Sequence, residues 1–382
     1  MNSINHVINH TTSRNKIDKK KQIITAQQMN HFETINREKN KLEAFYTKPK
    51  ISFTLFDKFI DEKTEVNRNA NIDVFDINDV YKRNIKKIYN VYQALYMDDI
   101  KVTGFGDFIR GCYFALDFCE RFNIQFEIVL NHPISSFLNT HAKKRILHFE
   151  NVKMFTVNNC YEHTVDANNV IHTITGHKIN SEFISYLSKD ASVHDDYALI
   201  YNLVYPQHEI SEAHKEYMQR FLCPTPAMEQ SICDTMTNLD IARRAYSVIH
   251  IRSGDNFSEA VDIVFQSGYI NQLCKYINQI IHADIKIRKR VCKYLLISDN
   301  NKIKTIISSH FLFMKVINHP ITHIATAFAN KDEMVKNTLI DFYLMSRSNA
   351  IHSFSCYEHG SGFSQWCAKT YNIPFSCRLV KP

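Results

Sequence analysis

Apolar residues arrive along the second half of this chain in short bursts, each closed by a polar cluster. Tyr246-Ser247-Val248-Ile249-His250-Ile251 runs into Arg252-Ser253-Gly254-Asp255, Tyr294-Leu295-Leu296-Ile297 into Ser298-Asp299, and Ala350 to Phe354 into Ser355. Runs of this length predict strands buried on both faces that deliver polar side chains at their carboxyl ends. Between them, apolar positions three and four apart predict helices over 270–281, 303–308, 334–345 and 363–371, the third with Val335, Leu339, Phe342 and Met345 on one face. A further strand is predicted over 311–317. The alternation predicts a doubly wound parallel sheet.

The first half is less regular. Ile85, Ile88, Tyr92, Leu95 and Tyr96 fall near one face of a helix over 85–97. Gly104-Phe105-Gly106-Asp107 reads as a turn opening a helix striped by Phe108, Cys112, Ala115, Cys119 and Phe122, with Asp107 as its N-cap. Strands are predicted over 126–130, 154–157 and 197–204, and a helix around 179–187. Helices over 211–222 and on to about 237 flank Pro224 and Pro226. The resulting division is a polar, largely disordered tail over 1–50, an α/β domain over 51–240 and a Rossmann-like domain over 241–382. The junction falls between 206 and 243.

Composition adds limits. An apolar fraction of 45% with 12% aromatic residues is that of a folded globular chain. The net charge of +7 is concentrated at the start, where Arg14, Lys16, Lys19, Lys20 and Lys21 face only Asp18 within the first thirty residues. No aromatic residue interleaves these charges, so a solvated leader is expected and no nucleic-acid contact. The ten cysteines contain no CxxC pair, which fits a reducing compartment; a bridge among Cys356, Cys367 and Cys377 would require a secreted chain. No apolar run reaches the ~18–20 residues of a membrane span and no secretory h-region opens the chain, so a soluble, cytoplasmic protein is expected. His6/His10 and His319/His323 have HxxxH spacing without an acid, and no DxD pair closes a strand, so no metal is expected.

The strand ends carry the chemistry. His250, Arg252 and Asp255, then Asp299, then Ser353 and Ser355 with Ser361 and Ser364 beyond, converge in an open parallel sheet. Arg252 can pair bidentately with a diphosphate, or close the turn against Asp255. Asp299 can accept from a base edge or a ribose hydroxyl, or cap the next helix. His250 reads either as a ligand contact or as a satisfied core histidine. Gly104 and Gly106 let backbone and a helix N-terminus approach a phosphate, or serve a tight turn before a core helix. Asp255 or Glu259 can act as a general base.

Four segments then show a resemblance. His250-Ile251-Arg252-Ser253-Gly254-Asp255 resembles the H-x-R-R-x-D motif of the GDP-fucose-dependent fucosyltransferases, a grouping of α1,2, α1,6 and protein O-fucosyltransferases. Gly104 to Gly111 is similar to that family's N-terminal glycine loop, and Leu295 to Asn300 to its strand ending in S/T-D-D. Asp341 to Ser346, Ala350 to Phe354 and Ser361 to Trp366 resemble its C-terminal block. Ser253 stands at the family's second arginine and Asn300 at its second aspartate. The resemblance implies a GT-B architecture, with two Rossmann-like domains of helix-flanked parallel sheets facing across a cleft. It implies inverting transfer of fucose from GDP-fucose to a glycan or glycoprotein hydroxyl, with no metal or other cofactor. Arg252 would hold the β-phosphate with backbone at Gly104 and Gly106. His250 and Asp299 would contact the guanosine, and Ser361 and Ser364 would lie near the diphosphate. Ser258-Glu259-Ala260 resembles a triplet that carries the base in the α1,6 branch, which puts Glu259 first and Asp255 second. The alternative is a catalytically inactive nucleotide-sugar or glycan-binding module on the same fold.

Overall fold

Residues 87–93 form a strand, not the helix that the spacing of Ile88 and Tyr92 suggests. In the computed structural model, β1 (Lys87–Gln93), α1 (Phe105–Phe122), β2 (Gln125–Asn131), β3 (Lys153–Glu162), β4 (Thr175–Asn180) and β5 (Asp196–Asn202) follow in order. The structure describes residues 87–93, 103–139, 153–172, 175–180, 196–206, 208–254, 267–288, 292–320, 324 and 332–381. β1 lies between β2 and β5, parallel to both, and residues 88–92 are all buried. Burial on both faces puts apolar residues at adjacent positions, and that run imitates a helical stripe. The predicted helix around 179 is likewise corrected at its start, because Ile179 belongs to β4. The sheet order is β2-β1-β5-β3-β4, with only the β3–β4 pair antiparallel.

α1 is buried along most of its length. One side, with Phe114, Ala115, Phe118 and Cys119, packs on Ile88, Val157 and Leu199 of the first sheet. The other side, with Phe108, Cys112, Tyr113 and Leu116, joins the largest core alongside Trp366, Leu339 and Phe342. A helix apolar nearly all round is one enclosed between layers. Its first residue is Phe105 and its N-cap is Gly104, so Asp107 sits inside the first turn rather than at the cap expected for it. The helix ends at Asn123, whose left-handed φ of 52° returns its N–H to the carbonyls of Cys119 and Glu120.

α2 (Glu212–Phe221) and α3 (Pro226–Asn238) follow, capped by the side chains of Ser211 and Thr225. Then come β6 (Tyr246–Arg252), α4 (Ser267–Arg288), β7 (Lys293–Ser298), α5 (Asn301–His310), β8 (Lys315–Val316), α6 (Asp332–Ser346), β9 (Ala350–Ser355), α7 (Gly362–Thr370) and β10 (Phe375–Leu379). The second sheet has the order β10-β9-β6-β7-β8 and is parallel throughout. Counted from its own first strand, that is the doubly wound order, with its reversal between β6 and β9. The strand predicted over 311–317 shrinks to two residues because 311–314 turn back on themselves. Both sheets are open and helix-flanked, the α/β class expected. Among the described residues, no helix is long and apolar enough to cross a membrane.

A segment of the first half reaches the second sheet. After β3 the chain turns at Asp166, whose carboxylate accepts from the N–H groups of Asn168 and Val170. Residues 169–171 then pair antiparallel with β10, through Ile171 N to Cys377 O (2.8 Å) and Leu379 N to Asn169 O (2.8 Å). Cys356, Cys367 and Cys377 are free thiols.

Candidate active site

In an open parallel sheet the ligand crevice lies outside the carboxyl ends, where the strand order reverses. In the second sheet that place is the end of β6 and β9. β6 terminates in Arg252, followed by Ser253 and Gly254, the latter at φ 108°, which excludes a side chain without strain. Asp299, just past β7, fixes this turn. Its carboxylate accepts from Arg252 Nη1 (2.7 Å), Gly254 N (3.2 Å), Ser253 N (2.9 Å) and Ser253 Oγ (2.7 Å). The next helix is capped by Asn300 instead, which accepts from the N–H groups of Lys302 and Ile303. Ser253 and Asn300 are thus both engaged. Ser253, fully buried, occupies Asp299, and Asn300 holds α5.

His250 is 3% exposed and its Nδ1 lies 3.3 Å from Ser353 Oγ. Burial lowers its pKa to about 4, so the ring is neutral near pH 7. In this conformation the ring is enclosed among side chains of the second sheet. Ser364 Oγ donates to Ser353 Oγ (3.2 Å), continuing the same buried chain. Ser361 is the N-cap of α7 and makes no capping bond with its side chain. Asp341 is buried on α6 with His319 3.4 Å from its carboxylate. Asp255 and Glu259 lie outside the described residues.

The glycine loop meets this region directly. A Cβ on Gly106 would fall 2.2 Å from the carbonyl carbon of Gly362, so only glycine allows the approach. Farther along, Tyr113 on α1 donates to Thr370 on α7 (2.9 Å) and packs against Trp366. The helices therefore run side by side in the same direction, with their N-termini together. The free N–H groups and positive ends of two macrodipoles, one from each half, add at that point. Asp107 and Arg110 form an ion pair there (3.0 Å).

A rim of rings and cations joins the two halves, and most of it escaped the sequence reading. The Arg110 guanidinium lies 3.8 Å from the ring centre of Tyr205, and its buried Nε makes no hydrogen bond. Tyr205 packs on Tyr161 (4.6 Å), which faces His359 (6.4 Å). His359 stacks on Tyr357 (5.2 Å), and the Arg252 guanidinium lies 5.8 Å from that ring. Desolvation first, joined by the nearby Arg110 and Arg252 guanidinium groups and opposed by Asp107, leaves the His359 pKa below its ordinary value. Burial raises the Tyr161 and Tyr205 hydroxyls. These aromatics stand singly in loops and at strand ends, without periodicity. Only the two arginines carried a signal, Arg110 inside the glycine-loop segment and Arg252 at its strand end.

Among solved structures the chain is similar to the NodZ alpha-1,6-fucosyltransferase soaked with GDP-fucose, at 11% identity, 78% of this chain, 100% of that one and a TM-score of 0.45. It is also similar to fucosyltransferase NodZ from Bradyrhizobium, at 11% identity, 78% and 99% coverage and a TM-score of 0.43. POFUT1 in complex with GDP is similar at 10% identity, 78% and 99% coverage and a TM-score of 0.38. Likeness at this level extends to the α/β architecture alone. No family model and no curated protein matches the chain.

Proposed function

We propose that this chain is a metal-independent, inverting glycosyltransferase that moves fucose from GDP-fucose to a hydroxyl of a glycan or glycoprotein. The observation that carries the reading is the meeting of two parallel helix N-termini, one from each half, through Gly106 and Gly362, beside a strand end that presents Arg252. A diphosphate suits that combination of fixed N–H groups, helix dipoles and guanidinium. The four motif segments in family order point the same way.

In this reading the acceptor oxygen attacks the anomeric carbon as the bond to the β-phosphate oxygen breaks. The electron pair leaves with GDP, where Arg252 and the amides near Gly106 and Ser361 stabilise the new charge. Glu259, or failing it Asp255, takes the acceptor proton. Asp299 holds the Arg252 turn in place. His250, Ser353 and Ser364 form the buried support beneath it, a narrower role than the ligand contacts the motif implies for His250 and Ser364.

The test is calorimetric binding of GDP across a panel of nucleotide sugars, followed by GDP release on a glycan array, with and without chelator. Micromolar binding of GDP-fucose and chelator-resistant turnover are expected. Failure to bind any nucleotide sinks the proposal, and tight binding without turnover turns it into the inactive-module reading. Glu259→Gln should keep binding and lower turnover about 100-fold or more; a full rate in that variant removes Glu259 as the base.

A further inference from the structure

We propose that the rim of the second sheet opposite the candidate site docks on an anionic lipid bilayer. Five large apolar side chains are exposed among the described residues, and four of them stand at this rim. Ile285 (37% exposed) and Ile287 (77%) close α4, and Leu312 (74%) and Phe313 (46%) form the turn before β8. The two pairs are neighbours. Asp284 accepts from the Tyr294 hydroxyl (2.7 Å), and the Tyr294 ring meets Phe313 edge-on (6.2 Å). Beneath them Phe311, Met314, Ile281 and Cys292 share one buried core, which fixes the helix end and the turn side by side. Single exposed apolar residues are ordinary, but a cluster of this kind marks a contact surface.

Charge identifies the partner. Lys286 is exposed between the two isoleucines, Lys293 opens β7 and Lys315 opens β8. The register sets Lys293 beside Tyr246 and Lys315 beside Leu295, so both lysines sit at the entry edge, with exposed Arg243 three residues ahead of β6. Against these stand Asp240, paired with Lys293 (2.8 Å), and Asp284, held by Tyr294. The apolar residues are carried on a helix end and a turn, which project, and basic side chains flank them. Projecting apolar tips in a basic surround match the headgroup and acyl boundary of an anionic bilayer. Because the strands are parallel, every carboxyl end then points away from the lipid, and the candidate site stays open to solvent. This inference rests on a different face from the proposed transferase chemistry and stands or falls separately.

The experiment is co-sedimentation of the full chain with phosphatidylcholine vesicles, with and without phosphatidylserine. Binding is expected only to the anionic vesicles, and should fall steeply from about 0.1 M to about 1 M salt, where the screening length drops from roughly 10 to 3 Å. The triple variant I287S/L312S/F313S should bind about tenfold more weakly or less, and Lys286→Glu should weaken binding without removing any apolar group. Unchanged melting by circular dichroism checks that both variants fold. Absence of binding by the intact chain overturns the proposal. So does undiminished binding by the triple variant, which moves the contact elsewhere in the chain. A dimer in sedimentation velocity that the triple variant dissolves, without vesicle binding, assigns the face to a second copy and also overturns it.

Discussion

The two sheets solve the same problem differently. The second is parallel throughout; β7 is a nearly pure apolar run, and β6, which buries only Ser247 and His250 among its apolar residues, ends in Arg252. The first is mixed, with β4 antiparallel and register shifts in β3, and it carries polar groups in its interior. Asn202 Nδ2 donates to Asn90 Oδ1 (3.1 Å) and to Gly111 O (2.9 Å), while Asn90 Nδ2 reaches Cys112 Sγ (3.1 Å). These bonds tie β1 and β5 to the backbone of α1, and so set where Gly106, Asp107 and Arg110 stand. The second sheet presents its chemistry at its rim; the first spends its polar residues on aiming one helix.

Acid should test both halves at once and give the largest effect. Among the described residues, His132 in the first half and His250 in the second are the fully enclosed histidines. His132 Nδ1 accepts from Ile134 N (3.1 Å), so its Nε2–H faces Ile324 O, and burial lowers its pKa to about 4; His250 is lowered to about 4 as well. The unfolded value is about 6.5. Between those values the unfolded chain binds more protons, so the contribution is complete above pH 6.5 and is lost as pH falls toward 4, by on the order of 3 kcal/mol per histidine. Melting temperature against pH should show that limb, and His250→Asn should flatten its own share. An unchanged slope would mean that the ring is not held neutral.

Gly106→Ala comes next. Its Cβ would overlap the Gly362 backbone, and about 3 kcal/mol or more should be lost in urea denaturation. Arg252→Ala and Arg110→Ala then compare the halves as ligand holders. GDP affinity should fall about 100-fold for the first and about tenfold or less for the second, because Arg110 is already enclosed by Asp107 and Tyr205. Equal losses in calorimetry would make the two halves equal partners in binding. Gly268→Ala should have the smallest effect and the opposite sign. No atom lies within 4 Å of the added Cβ, so the first turn of α4 should gain up to ~1 kcal/mol in the same denaturation assay.

The same contrast explains what the sequence revealed. β6, β7 and β9 were legible because an apolar run ending in Arg252, Asp299 or Ser355 states both burial and direction. β1 was not, because a strand buried on both faces carries no period of two. β4 and β10 escaped for lack of an apolar run: Thr175–Asn180 has Ile179 as its one large apolar residue, and Phe375–Leu379 is interrupted by Ser376 and Arg378. At the site, Arg252 and Gly106 were visible through local motifs. Tyr161, Tyr205, Tyr357 and His359 come together only through long-range packing, and no local pattern records that. Asp107 misled because an acid before an apolar stripe usually caps, whereas here the N-cap is Gly104, three residues earlier.

The pairing of residues 169–171 with β10 has a consequence for modularity. β10 is the outer strand of the second sheet, and an uncovered outer strand is a template for joining another chain edge to edge. Here the cover comes from the other half of the molecule. A chain begun near residue 241 would expose the β10 backbone donors and acceptors at 377 and 379 and should self-associate, however complete its own sheet. The halves are thus not interchangeable cassettes: the first acts as chaperone to the second's edge.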